Sequence, residues 1–217
     1  MIEIQNILEI ENHLDGIKAA IFDLDDTLYS EKEYVKSGFN AVANEFPQIT
    51  NMSEKLWKVF ENKGKAIDEI LKSENIYSEE NKNKCLDIYR NHKPDIQLYD
   101  GVREMLERIK IRGIKLGIIT DGRPEGQNAK IEALKIRDLF DQIIITDGLG
   151  SVEFRKPNKA AFIKMYELMK VPYNQMLYVG DNIQKDFIAP NTLGMKSILY
   201  KNTIGLYVVN VCIEKKN

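Results

Sequence analysis

The chain has 217 residues, 43% hydrophobic and 29% charged, enough for a substantial core with a charged surface. Its 31 basic and 33 acidic residues nearly cancel, so no global field draws nucleic acid or an anionic membrane. No apolar run approaches the roughly 20 residues of a membrane span. Two distant cysteines, Cys85 and Cys212, form neither a metal-ligand spacing nor a disulfide framework, and both read as buried, reduced thiols. Met1-Ile2-Glu3-Ile4 lacks the basic segment and apolar run of a secretion signal, so the expected compartment is the cytoplasm.

Residues 2–15 alternate apolar and polar and fit either a short amphipathic helix or an edge strand. Ala19 to Phe22 is a run of four apolar residues, read as a short strand buried on both faces. From about 30 to 95 the texture changes. Lys, Glu and Asn abound, and apolar residues recur at helical spacing, as in Tyr34, Phe39, Val42 and Phe46, or Ile67, Ile70 and Leu71. Punctuated by Pro47, Gly64 and Pro94, this stretch predicts three to five short amphipathic helices and no strand. Trp57 and His92 within it read as packing or surface residues.

From Asp100 onward the pattern is α/β. Asp100 is expected to cap a helix through Arg112, with Gly113 ending it. Leu116 to Ile119 predict a strand, Pro124 opens a helix to about Leu134, and Ile143 to Ile145 predict the next strand. A helix follows Pro157, then strands at Met176 to Val179 and Lys196 to Leu199 with a short helix between them. Residues 204–213 are β-branched and apolar and predict a last strand or edge. Alternating strands and helices imply a Rossmann-like parallel sheet with helices on both faces. The expected division is an α/β catalytic core, residues 1–29 and 96–217, and a small all-helical cap, 30–95, inserted after the first core strand. That insertion point places the cap at the ligand end of the sheet, as a candidate lid.

The strand at 19–22 runs straight into three carboxylates, Asp23, Asp25 and Asp26. A strand interior cannot hold unpaired charge, so the acids belong at its C-terminal end, in the crevice where open α/β sheets bind ligands. Asp23 and Asp25 are two apart and face the same way on extended backbone; they repel unless a cation or a proton separates them. Three more strand ends carry Thr120, Lys156 and Asp181. Each alone has an ordinary reading as a helix cap or a solvated lysine, but all converge on one end of one sheet. The chemistry they suit is attack on an electrophile with negative oxygens. A carboxylate nucleophile needs no deprotonation, and a second carboxyl can protonate the leaving group and then activate water. A hydroxyl and an ammonium can bind phosphoryl oxygens as their charge grows, and Mg²⁺ with oxygen ligands lets carboxylate and phosphate approach.

In this order the motifs resemble those of the haloacid dehalogenase-like hydrolases, most of them phosphatases. Asp23-Leu24-Asp25-Asp26-Thr27 is similar to the family's first motif, Ile118-Ile119-Thr120 to the second, Lys156-Pro157 to the third, and Gly180-Asp181 with Asp186 to the fourth. The resemblance implies Asp23 as nucleophile and Asp25 as acid/base, with Thr120 and Lys156 as catalytic and phosphate-binding groups. It implies Mg²⁺ held by Asp23, by Asp25 through its backbone carbonyl, and by Asp181, with Thr27 and Asp186 in support. Asp121 stands where many relatives have Asn. An acid beside phosphate is repulsive, so its side chain is expected to turn away and leave its N–H to the phosphate. Arg155 adds a cation beside Lys156.

The leading expectation is therefore a Mg²⁺-dependent phosphatase acting on a small phosphorylated molecule through an aspartyl phosphate. A phosphomutase shares the motifs and stays open as the alternative. The family's dehalogenases lack an acid at the place of Asp25, which argues against carbon–halogen chemistry, and no catalytic group is missing as in a binding module. No nucleic-acid or membrane partner is expected, and monomer or weak dimer both stay open.

Overall fold

The computed structural model describes residues 1–206. Among these, six strands form one parallel sheet: β1 (Ile2–Ile4), β2 (Ala19–Phe22), β3 (Lys115–Thr120), β4 (Gln142–Ile145), β5 (Met176–Gly180) and β6 (Lys196–Tyr200), in the spatial order β1-β6-β5-β2-β3-β4. The open choice for residues 2–15 resolves into both alternatives in turn. Ile2–Ile4 pairs with β6 at the sheet edge, and Ile7–His13 is a 3-10 helix. Asn6 and Glu9 make reciprocal side-chain bonds across its first turn and satisfy donors the helix cannot.

The chain divides into two compact units. One comprises Met1–Glu31, Leu98–Arg123 and Ile136 onward; the other comprises Lys32–Gln97 and Pro124–Lys135. In the first, β2 lies between β3 and β5, and the register Phe22↔Ile118 and Phe22↔Val179 leaves β3 to run two residues and β5 one residue past the end of β2. On one sheet face Ile21, Ile119, Ile144 and Tyr178 pack on Phe162, Met165 and Met169 of α7 (Ala160–Met169). Period-two alternation turns Phe22, Ile118 and Val179 to the opposite face. Helix α5 (Val102–Ile111) packs on β3 with Val102, Met105, Leu106 and Ile109 buried. Asp100 is not its cap. Gly101 takes that place with φ at 76°, a left-handed conformation that glycine adopts without strain, and no side chain caps the helix. A short helix, Ile188–Leu193, leads into β6.

The other unit is helical: α1 (Glu31–Glu45, its first residue in the sheet unit), α2 (Met52–Glu61), α3 (Ala66–Ser73), α4 (Glu79–Asn91) and α6 (Pro124–Ala133). Helix α3 packs on both α2 and α4, and α6 packs on α4, although α6 lies between two sheet strands in sequence. Ser78 caps α4 through Asn81 N–H. Trp57 stacks on Phe60, and His92 packs on Tyr34 and Tyr89, so both are packing residues as expected. Cys85 is buried, and burial pushes its thiol up to about 11. Cys212 and residues 207–213 lie outside the described residues; 203–206 form a turn rather than a strand. No helix among the described residues is long and apolar enough to cross a membrane.

Candidate active site

The site is built where β2, β3 and β5 end. Asp23 follows the last residue of β2, and its N–H donates to the Val179 carbonyl at 2.8 Å, so the ladder carries one residue past the strand and fixes the start of the acidic loop. Leu28 N–H donates to the Leu24 carbonyl at 3.0 Å, closing a turn around Asp25 and Asp26. Asp26 has φ at 53°, which Asp tolerates better than most residues. Its side chain accepts from Glu31 N–H at 2.9 Å and Leu206 N–H at 2.6 Å, and its carbonyl accepts from Asn202 Nδ2 at 2.7 Å. Asp26 and Asn202 thus bind the acidic loop to the segment after β6, a connection the sequence did not suggest.

Asp23 is 3% exposed and its Oδ1 lies 2.7 Å from Lys156 Nζ. The same ammonium is 2.8 Å from Asp186 Oδ1 and donates to the Tyr178 hydroxyl at 3.1 Å. Burial by itself would lower the Lys156 pKa, but the charges of Asp186 and Asp23 raise it well above its ordinary value and keep it an ammonium. Asp186 is fully buried, and its other oxygen accepts from Asn182 N–H at 2.9 Å. Gly180 makes this possible, since a Cβ there would stand 2.6 Å from Asp186 Oδ2. Asp186 thus holds the Lys156 ammonium through the 2.8 Å ion pair, with its own carboxylate fixed by Asn182 N–H.

Asp181 completes a cluster in which one carboxylate oxygen each from Asp23, Asp181 and Asp186 lie within 4.8 Å of one another. The Lys156 ammonium, paired with Asp23 and Asp186, does not by itself balance three acids. Burial, ahead of the opposing Lys156 charge and the added repulsion of Asp186, pushes Asp23 up to about 6. Burial, then Asp23 and Asp186, pushes Asp181 up to about 8. Crowded carboxylates, two of them with raised pKa values, offer hard oxygen donors that fit a divalent cation of the Mg²⁺ type.

Asp25 lies outside that trio. Its Oδ1 accepts a short hydrogen bond from the fully buried Tyr29 hydroxyl, whose pKa is raised by burial and then by Asp25, so the phenol stays a donor. Thr27 is fully buried and its hydroxyl finds no partner among the described residues. Thr120, fully buried, ends β3. Asp121 does not stand idle: its Oδ1 accepts from Lys156 N–H at 3.0 Å and the Thr146 hydroxyl at 3.1 Å, and its Oδ2 lies 3.1 Å from Lys185 Nζ. Arg155 forms a two-pronged pair with Asp147, both contacts at 2.7 Å, which braces the loop leading to Lys156. Sequence reasoning missed Tyr178 and Lys185. The available signals were a hydroxyl inside an apolar strand and a lysine between Asp181 and Asp186.

Comparison with known proteins places this site in context. Residues 20–200 match the profile described as haloacid dehalogenase-like hydrolase. The chain is 31% identical to a glyceraldehyde 3-phosphate phosphatase of Methanocaldococcus jannaschii, covering 84% of each protein. It is 24% identical to a pyrophosphatase PpaX of Bacillus mycoides, covering 87% of this chain and 85% of that one. Among solved structures, a hydrolase of the same superfamily from Geobacter sulfurreducens superposes with a TM-score of 0.65 at 17% identity, covering 86% of this chain and 88% of that one, a likeness of fold.

Proposed function

The chain belongs to the haloacid dehalogenase-like hydrolases and is a hydrolase of phosphoric monoesters, and we propose that it works through Asp23 as a covalent nucleophile with Mg²⁺ as cofactor. The observation that carries this reading is the buried Lys156 ammonium at 2.7 Å from Asp23, beside a second and third carboxylate. Held this way, an Asp23 oxygen is an oriented nucleophile that needs no base. It attacks phosphorus, the ester P–O bond breaks, and Asp25 gives its proton to the leaving oxygen. Asp25 then takes a proton from water, whose oxygen attacks the aspartyl phosphate, and inorganic phosphate leaves. Tyr29 holds the Asp25 carboxyl in place through this exchange. The Thr120 hydroxyl and the Asp121 N–H meet phosphoryl oxygens, and Lys156 orients Asp23 while its charge offsets the growing negative charge. Thr27 supports the acidic loop.

Asp23 and Asp181 would hold Mg²⁺ through their carboxylates, together with the Asp25 carbonyl. Bound there, Mg²⁺ supplies the positive charge that lets a carboxylate and a phosphate approach each other. Asp186 has both oxygens engaged by Lys156 and Asn182 N–H, which suits orientation. The helical unit is proposed as a cap domain, and the proposed substrate is a small phosphomonoester of the size of a triose phosphate.

The test is hydrolysis by the purified chain of p-nitrophenyl phosphate and a panel of small phosphates, glyceraldehyde 3-phosphate and pyrophosphate included. Phosphate release that EDTA abolishes and Mg²⁺ restores is expected; none from any substrate overturns the reading. Asp25→Asn should lose far more activity on an alkyl phosphate than on p-nitrophenyl phosphate, whose leaving group needs no proton. Equal losses would remove the acid/base role.

A further inference from the structure

We propose that Lys185 is a second phosphate-binding cation of this site, seated there by Asp121. The inference rests on the phosphatase reading above and deepens it. Its starting point is a shortage of donors. A lysine ammonium has three protons to donate, and Lys156 has three partners: Asp23 at 2.7 Å, Asp186 at 2.8 Å and Tyr178 at 3.1 Å. Its side chain is 0% exposed, so nothing is left over to greet an incoming phosphate dianion. Beside the proposed Mg²⁺, a second side-chain ammonium with free donors would meet that charge in the ground state.

Lys185 fits the need. Its side chain is 34% exposed, and its ammonium pairs with Asp121 Oδ2 at 3.1 Å. Asp121 is its one hydrogen-bonded partner among the described residues, which leaves donors for a ligand. Asp121 in turn follows Thr120, and its other oxygen holds the Lys156 N–H at 3.0 Å and the Thr146 hydroxyl at 3.1 Å. One carboxylate therefore ties together the loops after β3, β4 and β5 and keeps the Lys185 ammonium beside the strand ends. This also explains an acid at a place where it should repel phosphate: paired with Lys185, Asp121 adds no net charge, and its anchoring sets where the cation stands. Across the loop that carries Lys185, the Asn182 N–H to Asp186 bond and the Asp186 N–H to Asn182 carbonyl bond at 3.0 Å fix the backbone.

The experiment measures p-nitrophenyl phosphate hydrolysis with Mg²⁺ and its inhibition by inorganic phosphate. Lys185→Met should raise both the inhibition constant for phosphate and KM by about tenfold or more, the scale of one charge-assisted hydrogen bond, without lowering Tm. Lys185→Gln should behave alike and Lys185→Arg should recover part of the affinity. Asp121→Asn, which keeps an acceptor for Lys156 N–H but loses the ion pair, should weaken phosphate binding less, and its effect should vanish in the Lys185→Met background. Phosphate inhibition within twofold of the starting protein in Lys185→Met and Lys185→Gln overturns the proposal, even if kcat falls, because that pattern is purely structural. If the unaltered chain hydrolyses nothing, the phosphatase reading fails and takes this inference with it, an outcome distinct from intact hydrolysis with indifferent Lys185 variants.

Discussion

Lys55 and Lys156 each hold a carboxylate at hydrogen-bond distance, one in the helical unit and one at the strand ends. Lys55 meets Glu74 at 2.6 Å with the two side chains 41% and 28% exposed. Lys156 meets Asp23 and Asp186 with essentially no exposure on any partner. In the helical unit, pairs such as Lys55–Glu74 and Lys84–Glu45 are solvated and screened, and cohesion comes from apolar burial and the rings of Phe39, Phe60 and Tyr89. At the strand ends the charges sit in low dielectric, where each must be balanced or protonated. Charge in the first region serves solubility, and charge in the second fits the proposed role of meeting a ligand that brings its own.

That contrast can be broken most sharply at Asp23. Asp23→Asn should cut phosphate hydrolysis by about a thousandfold or more while circular dichroism stays unchanged, since the amide is a poor nucleophile of the same shape. Residual turnover within about tenfold of the original would remove the nucleophile from the scheme.

Lys156→Met comes next and should act on both activity and stability. Activity is expected to fall about a hundredfold or more, and removing one member of a buried charge cluster costs about 3–5 kcal/mol. Lys156→Arg should not restore activity, because a forked guanidinium cannot replace a compact ammonium with three partners. A Lys156→Met protein as stable and active as the original would show the pocket charges to be as dispensable as surface ones.

The pH dependence of the metal-free protein is a smaller effect with a definite sign. Asp23 and Asp181 are raised from 3.8 to about 6 and about 8, so the folded state binds protons that the unfolded chain has released. Their contribution is fully present near pH 4 and is lost as pH rises through about 6 to 8. Without Mg²⁺, Tm should decline over that window, Asp181→Asn should flatten the decline, and Mg²⁺ should stabilise more at pH 8 than at pH 5. A Tm that rises across the same window would contradict this electrostatic picture.

The smallest effect belongs to the helical unit. Lys55→Ala should change unfolding free energy by no more than about 1 kcal/mol, and less at high salt. A loss comparable to that of Lys156→Met would erase the distinction between the two regions.

Local pattern alone was enough to read five of the six described strands. The strands at 19–22, 115–120, 142–145, 176–180 and 196–200 are apolar runs broken by turn residues, and burial on both faces leaves few other places for them. Asp23, Thr120 and Asp181 stood out because each ends or follows such a run, whereas Lys156 lies eleven residues past β4 and Asp186 was singled out by the family resemblance alone. Tertiary structure decided the rest. The edge strand Ile2–Ile4 owes its state to β6, nearly 200 residues away, since a three-residue segment has too few bonds of its own to choose. The left-handed Gly101 stands in place of an Asp100 cap, with the Leu8 side chain 3.1 Å from where a Cβ would be. The partnerships of Lys156 with Tyr178, of Asp121 with Lys185 and of Asp26 with Asn202 join residues far apart in the chain. Sequence shows which groups need a partner, but only the order β5-β2-β3 brings the loops close enough for Coulomb attraction and hydrogen bonding to choose one.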